Sequence, residues 1–319
     1  MRYRDPVPPR PEEPPMSDQA VVVGSFTPSV VLDLAASTGR LDAAGVVVEE
    51  VPVQSSPGQF RSLLDGEIQV ALTSPDNVLA YRYNPANPLG ELADVRMVAA
   101  VDRGMGLGLY GRPGLTIDGL RGAKVGVDVP TSGFALALYA LADSVGVGRD
   151  DYELVALGST PQRLRALLAG ECDATMLNAG NELAGEAAGC VRLVSATDVC
   201  TPYLGVVVAV AGDTHVDVAR RISGALVDVA AEIVAGRLTD EAAESAARRL
   251  GLDDATALRY VDRLRDPAEG LVPDGVVDPA ALRTLVDLRR RYLPVPAADG
   301  SGDLLDRAVD DPGLVTAGA

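Results

Sequence analysis

Tryptophan is absent from the 319-residue chain, and only three phenylalanines and nine tyrosines supply aromatic rings. A site that stacks several sugars or bases on aromatic rings is therefore not favoured. Basic side chains are also scarce, because 28 Lys and Arg face 45 Asp and Glu, which gives a formal net charge of −17. A chain of this charge repels phosphate backbones and anionic lipid, so we expect no nucleic-acid partner.

Residue types that occur once or a few times restrict the chemistry further. Lys124 is the only lysine, so a Schiff base to pyridoxal phosphate could form only there. The only histidine, His215, lies in a segment typical of a helix cap. The three cysteines, at positions 172, 190 and 200, show no C-x-x-C spacing. The sequence thus predicts no metal site, no cofactor and no disulfide framework.

Long hydrophobic runs are missing as well. Apolar runs such as residues 205–212 are far shorter than the roughly 20 residues that span a bilayer, so we expect no membrane insertion. Residues 1–15 are charged and rich in proline, with no apolar core of a signal peptide. As written, the sequence predicts a cytoplasmic protein; a misassigned gene start would instead allow a periplasmic or extracellular location. We expect residues 1–17 to form a disordered tail.

An internal repeat is the strongest pattern in the sequence. Residues 55–67 align with residues 159–171 at an offset of 104, with Ser, Pro, Arg, two Leu, Gly and Glu recurring. In both halves short apolar strands alternate with helices, which is typical of a mostly parallel sheet flanked by helices. The predicted fold is therefore α/β, with two lobes joined by two crossing strands.

The pattern also predicts where the chain changes lobe. We expect residues 18–103 and 206–294 to form lobe 1, with helices at its C-terminal end, and residues 104–205 to form lobe 2. Residues 295–319, rich in proline, glycine and aspartate, are predicted to be a loose tail. The arginine clusters at 248–249 and 289–291 are interpreted as solvated last turns of helices.

Polar loops follow several of the predicted strands, where open parallel sheets bind their ligands. Helix capping uses the same residue types, but four such loops meeting at one cleft favour a ligand site. Predicted ligand-binding residues are Ser25, Phe26, Thr27, Ser74, Asn77, Thr131, Ser132, Gly133, Asn178, Asn181 and Tyr203, with Phe26 and Tyr203 as apolar walls. The carboxylates of these loops, Asp76 and Asp128, are the candidates for acid–base catalysis.

Three segments resemble the sequences of a known family: residues 63–71, 120–127 and 167–174. With them, the stretch 21–211 resembles the solute-binding proteins of nitrate/sulfonate/taurine-type ABC transporters, within the type II periplasmic-binding-protein-like superfamily. Thiamin-pyrimidine synthase-like proteins are relatives on the same scaffold. The resemblance implies two lobes that close on a small-molecule ligand by a hinge motion, and an ABC permease as a partner.

Two functions of different classes fit these observations. The leading hypothesis is a solute-binding protein, or an intracellular ligand-binding homologue, that takes a small polar or anionic molecule without covalent chemistry. The alternative is a cytoplasmic lyase or biosynthetic enzyme that uses Asp76 or Asp128 as its base. The lack of a histidine or cysteine in the four loops favours the first hypothesis.

Overall fold

The computed structural model describes residues 20–297, 302–306 and 308–316, so the predicted disordered tail at residues 1–17 lies outside the described residues. Within these ranges the chain forms two α/β lobes, each built on a five-stranded sheet. None of the described helices is long and apolar enough to cross a membrane.

Lobe 1 holds the first half of the repeat and the strand that returns from lobe 2. Its elements are β1 (Val21–Ser25), α1 (Val30–Ser37), α2 (Arg40–Ala43), β2 (Val48–Pro52), α3 (Ser56–Leu64), β3 (Val70–Thr73), α4 (Pro75–Tyr83), β4 (Val95–Asp102) and β10 (Val206–Ala211). The strand order is β2-β1-β3-β10-β4. β1 pairs in parallel with β2 and β3, whereas β10 is antiparallel to β3 and β4.

Lobe 2 repeats this plan. Its elements are β5 (Gly108–Gly111), β6 (Lys124–Val127), α5 (Gly133–Ser144), β7 (Glu153–Ala156), α6 (Thr160–Ala169), β8 (Ala174–Leu177), α7 (Asn181–Ala187) and β9 (Val191–Ser195). The order β7-β6-β8-β5-β9 matches lobe 1 strand for strand. Each sheet is mixed: four strands run in the same direction, and the strand entering from the other lobe runs antiparallel to its neighbours.

The repeat extends to buried side chains. In lobe 1, Gln59 Nε2 donates a hydrogen bond to the carbonyl oxygen of Leu72, at a distance of 3.1 Å. In lobe 2, Arg163 Nη2 donates to the carbonyl oxygen of Met176, at 3.2 Å. Gln59 and Arg163 lie 104 positions apart, and so do their acceptors Leu72 and Met176. The side chains of α3 and α6 are therefore hydrogen-bonded to the ends of β3 and β8 in the same way. Such agreement supports a structural duplication.

The two crossings between the lobes lie side by side. The first runs from β4 to β5, and the second leads from β9 into β10. At the second crossing a Cβ atom on Gly205 would stand 2.2 Å from Asp102 Oδ1 and 2.6 Å from the Gly104 backbone. Only glycine lets the crossing segments approach this closely.

After β10 the described residues form four α-helices. They are α8 (Val216–Val234), α9 (Thr239–Leu250), α10 (Asp254–Arg265) and α11 (Pro279–Tyr292). α8 and α9 pack on lobe 1, whereas α10 packs on α8 and α9 and also contacts α7 of lobe 2. α11 lies between α4 of lobe 1 and α5 of lobe 2. One apolar cluster therefore runs through α4, α5 and α11 and joins the two lobes.

The prediction of a loose C-terminal tail is wrong for the described part of residues 295–319. Leu305 and Leu314 are fully buried in the main apolar cluster. The Met97 N–H donates to the carbonyl oxygen of Leu314 at 2.8 Å, and the Thr316 N–H donates to the carbonyl oxygen of Met97 at 2.9 Å. The tail thus covers the edge of β4, whose unpaired backbone groups need partners.

This packing predicts that Leu314→Ala lowers the free energy of unfolding by about 2–4 kcal/mol, since it deletes buried methyl groups and leaves a cavity. Urea denaturation measures the change. Leu92→Ala is the matched control, because Leu92 is 56% exposed and Leu314 only 1% exposed. Equal effects from the two substitutions would contradict the described packing of the tail.

Candidate ligand-binding cleft

A cavity lies between the lobes, at the carboxyl ends of β1, β3, β6 and β8. The centre of a water-sized sphere can take any position within about 100 Å³ of this cavity. This is room for several water molecules or one small organic molecule. The predicted residues that line it are Ser25, Phe26, Thr27, Ser74, Asn77, Ser132, Gly133 and Asn178, together with Asp128 of the enzyme alternative. The repeated loops therefore meet at one site.

Two predicted polar residues lie beside the cavity rather than in its wall. Asn181 Nδ2 donates to the Asn178 carbonyl oxygen at 3.0 Å and reaches Thr27 Oγ1 across the cleft at 3.4 Å. Thr131 is exposed, and its carbonyl oxygen accepts a hydrogen bond from Arg289. The Asn181 side chain thus bonds to neighbouring protein groups, whereas Thr131 contributes its backbone carbonyl and not its side chain.

The prediction that Tyr203 forms a wall of the cleft is wrong. Tyr203 is buried at the second crossing, in a small pocket that it shares with Arg103, Leu107 and Cys200. Its place in the wall is taken by Phe134 and Tyr260, which sequence reasoning missed. Phe134 follows Gly133 directly, so its position in the first turn of α5 was a usable signal.

Asp76 is not in the cavity either. Its carboxylate accepts hydrogen bonds from Arg289 Nε at 2.9 Å and Nη2 at 2.5 Å, and both side chains are almost fully buried. A carboxylate held by a guanidinium in this way is unsuited to serve as a base. The interpretation of residues 289–291 as a solvated helix end is correspondingly wrong for Arg289, which is 1% exposed.

Two helices, one from each lobe, point their N-termini at the cavity. Val30 and Val31 open α1, and Gly133 and Phe134 open α5; all four line the cavity. In both helices a serine caps the third amide only: Ser29 Oγ accepts from Leu32, and Ser132 Oγ accepts from Ala135. The first amides of each helix therefore remain available to an anionic group in the cleft.

The hydroxyl groups of the cavity are not equivalent. Ser25 Oγ donates to Glu50 Oε1 at 2.6 Å, and the same oxygen accepts the Ser29 N–H at 2.8 Å. Ser25 therefore already uses its proton within the protein. Ser74 is 8% exposed, and its Oγ has no hydrogen-bond partner among the described residues. A buried hydroxyl of this kind gains a partner when a polar ligand enters.

Asp128 brings a carboxylate to the cavity wall from the end of β6. Its Oδ2 accepts the Ser56 N–H of lobe 1 at 3.2 Å, whereas Oδ1 is buried without a partner among the described residues. Burial raises the pKa of Asp128, and the charge of Arg163 opposes the rise. Asp128 thus links the lobes through one oxygen and leaves the other as an acceptor.

Arg163 also lines the cavity, and sequence reasoning missed it. Burial lowers its pKa to about 10, so it remains charged at neutral pH. Its guanidinium donates to the carbonyl oxygens of Gly158 and Met176 and to the Thr160 hydroxyl, so these bonds are made within lobe 2. The internal repeat offered a signal, because Arg163 aligns with Gln59 at the offset of 104 residues.

These features define a class: a two-lobed protein with a site for a small polar molecule between its lobes. The comparisons with known proteins add the family. The family model of ABC transporter, phosphonate, periplasmic substrate-binding proteins matches residues 33–259, more than half of the chain. The chain belongs to this family. No curated protein sequence matches it significantly.

Solved structures agree with the fold. The alkanesulfonate-binding protein SsuA from Xanthomonas axonopodis pv. citri, bound to MOPS, is 16% identical with a TM-score of 0.68, over 86% of this chain and 93% of that one. The aliphatic sulphonate-binding SsuA from Escherichia coli is 17% identical with a TM-score of 0.61, over 87% and 89%. A Candida albicans protein described as having the generic periplasmic-binding-protein fold is 16% identical with a TM-score of 0.67, over 93% and 96%.

The family and the fold make this a solute-binding protein of the ABC-transporter type, which binds a small polar or anionic molecule between its lobes. The comparisons lend no support to the enzyme alternative. Over the described ranges, no group of His, Cys, Asp and Glu side chains is arranged to hold a metal ion. The narrower resemblance to thiamin-pyrimidine synthases stays a prediction.

Asp102, another carboxyl in the cavity wall, should make the free energy of unfolding depend on pH. Burial raises its pKa to about 7, although the Gly104 N–H donates to its Oδ1. Because this pKa exceeds the ordinary value near 4, the stability that Asp102 contributes is complete below pH 4 and is lost as pH rises to about 7. The loss amounts to at most about 4 kcal/mol.

Asp102→Asn should therefore flatten the decline of unfolding free energy between pH 4.5 and 7.5, measured by urea denaturation. Asparagine keeps an acceptor for the Gly104 amide and does not ionise. Part of the slope should persist, since burial also raises the pKa of Glu182 to about 7. Identical slopes for the wild type and Asp102→Asn would show that Asp102 is not the titrating group.

Proposed function

We propose that the cleft binds a small organic anion whose head group is a sulfonate or a phosphonate. The observation that carries this proposal is the convergence of two helix N-termini, α1 from lobe 1 and α5 from lobe 2, on one cavity. Such N-termini favour negative charge through the helix dipole and through their unpaired amides. A tetrahedral head group has enough oxygens to accept from both lobes at once.

The same cavity supports a second feature of the ligand. Asp128 Oδ1 and Ser74 Oγ are buried and unpartnered among the described residues, and they belong to different lobes. The Ser74 hydroxyl can donate to the anionic head group, whereas the unpartnered Asp128 carboxylate oxygen costs free energy that a ligand with a hydrogen-bond donor recovers. We therefore propose that the ligand carries an amine or another N–H or O–H donor near its head group.

The family also supports a proposal about partners and place. Its members are described as periplasmic substrate-binding proteins of ABC transporters. We infer that this protein delivers its ligand to an ABC permease outside the cytoplasmic membrane. Co-purification of a permease complex with the ligand-loaded protein, and not with the ligand-free protein, tests this inference.

Ethanesulfonate and ethylphosphonate should raise the melting temperature in a thermal-shift assay, and Ser74→Ala should weaken their binding about five- to tenfold by isothermal titration calorimetry. Stability without ligand should not fall, because the Ser74 hydroxyl has no partner to lose in the part of the chain that the structure describes. Ser223→Ala is the matched control: its hydroxyl is also buried and lacks a partner within the same residues, but it lies in α8, outside the cavity lining. Equal affinities in the two variants would contradict a ligand contact at Ser74.

Asp128→Asn tests whether this side chain accepts a hydrogen bond from the ligand or only links the two lobes through Ser56. If Asp128 accepts from a ligand amine, the substitution should weaken 2-aminoethylphosphonate about tenfold or more and leave ethylphosphonate nearly unchanged. Asparagine can still accept the Ser56 N–H, so the contact between the lobes is kept. Unchanged affinity for both compounds would contradict the proposed donor on the ligand.

A further inference from the structure

The C-terminal helix α11 belongs to both lobes. Its buried side chains Ala281, Leu282, Leu285 and Val286 share one apolar cluster with α4 of lobe 1 and α5 of lobe 2. At its end, Tyr292 Oη donates to Asp143 of α5 at 2.7 Å. α11 is therefore packed against both lobes at once.

Arg289 makes the polar contact at the centre of this arrangement. Besides its two bonds to Asp76 at the first turn of α4, Nη2 donates to the carbonyl oxygen of Thr131 at 3.0 Å. Thr131 immediately precedes Ser132, the cap of α5. One guanidinium therefore joins the start of a lobe 1 helix, the start of a lobe 2 helix and α11.

The two helix starts are also in direct contact. A Cβ atom on Gly133 would stand 2.7 Å from both Ser74 Oγ and Asp76 Cβ. Only glycine at this position allows the two loops to come so close. Ser74 and Gly133 both line the cavity, so the contact that Arg289 braces is part of the ligand site.

We propose that Arg289 is a positioning residue for ligand binding, which holds the first turn of α5 against lobe 1 so that its free amides face the cavity. This inference rests on the proposed function, because those amides are the groups assigned to the anionic head. A buried ion pair often adds little net stability compared with apolar side chains of similar volume. Placement of the α5 start, and not overall stability, is then the main effect of the pair.

The double variant Asp76→Ala/Arg289→Met tests the proposal without leaving an unpaired buried charge. In the ligand-free protein, amide hydrogen exchange at residues 135 and 136, whose N–H groups donate to Ser132, should become about tenfold faster, since the Thr131 carbonyl loses its charged donor. Affinity for ethanesulfonate should fall about tenfold, and the melting temperature should stay within about 5 °C of the wild type. Arg289→Lys, which keeps a cationic donor on α11, should remain within about threefold of the wild type in both measurements.

Arg265→Met is the matched control. Arg265 ends α10 and donates to the Ile233 carbonyl oxygen at 2.8 Å, entirely within lobe 1. It should change neither exchange at residues 135 and 136 nor affinity for ethanesulfonate. Unchanged exchange in the double variant would overturn the proposal, as would equal losses in Arg265→Met. If the wild type does not bind ethanesulfonate, the proposed function fails, while the exchange measurement still decides the role of Arg289.

Discussion

Each sheet is completed by a strand that arrives from the other lobe, and the rest of the structure depends on this constraint. Because β5 and β10 must reach the opposite sheet, the two crossings lie together, and Gly205 permits their close approach. The carboxyl ends of β1, β3, β6 and β8 consequently face one another across a narrow gap. The polar loops that follow these strands therefore lie together in this gap.

The same geometry explains why so few charged groups suffice at the site. Parallel strands that end at the cleft are followed by helices that begin there, so the first amides of α1 and α5 converge on the cavity. The net charge of −17 therefore does not conflict with an anionic ligand. Local dipoles and hydroxyls, not the overall charge, set the potential inside a buried site.

Local patterns predicted the lobes, the repeat and most of the cavity-lining loops, because strand and helix periodicity and capping residues act over short distances. The errors arose from contacts between distant parts of the chain. Nothing near Asp76 indicates that Arg289, 213 positions later, will bury its carboxylate. Tyr203 and the tail around Leu314 were misjudged for the same reason, since their environments are formed by remote segments.

The repeat is not symmetric in charge. Where lobe 2 has Asp128 and Arg163, the corresponding positions of lobe 1 hold Gly24 and Gln59, and Gln59 Nε2 donates to the Gly24 carbonyl oxygen at 3.0 Å. At these repeated positions the two lobes thus differ, since lobe 1 is neutral there and lobe 2 bears a pair of opposite charges. If an unsymmetrical molecule bound in the reverse orientation, each of its ends would contact the wall that suits the other end. The divergence of the two halves therefore gives the cleft a direction, and it selects one of the two orientations in which a bound molecule could lie.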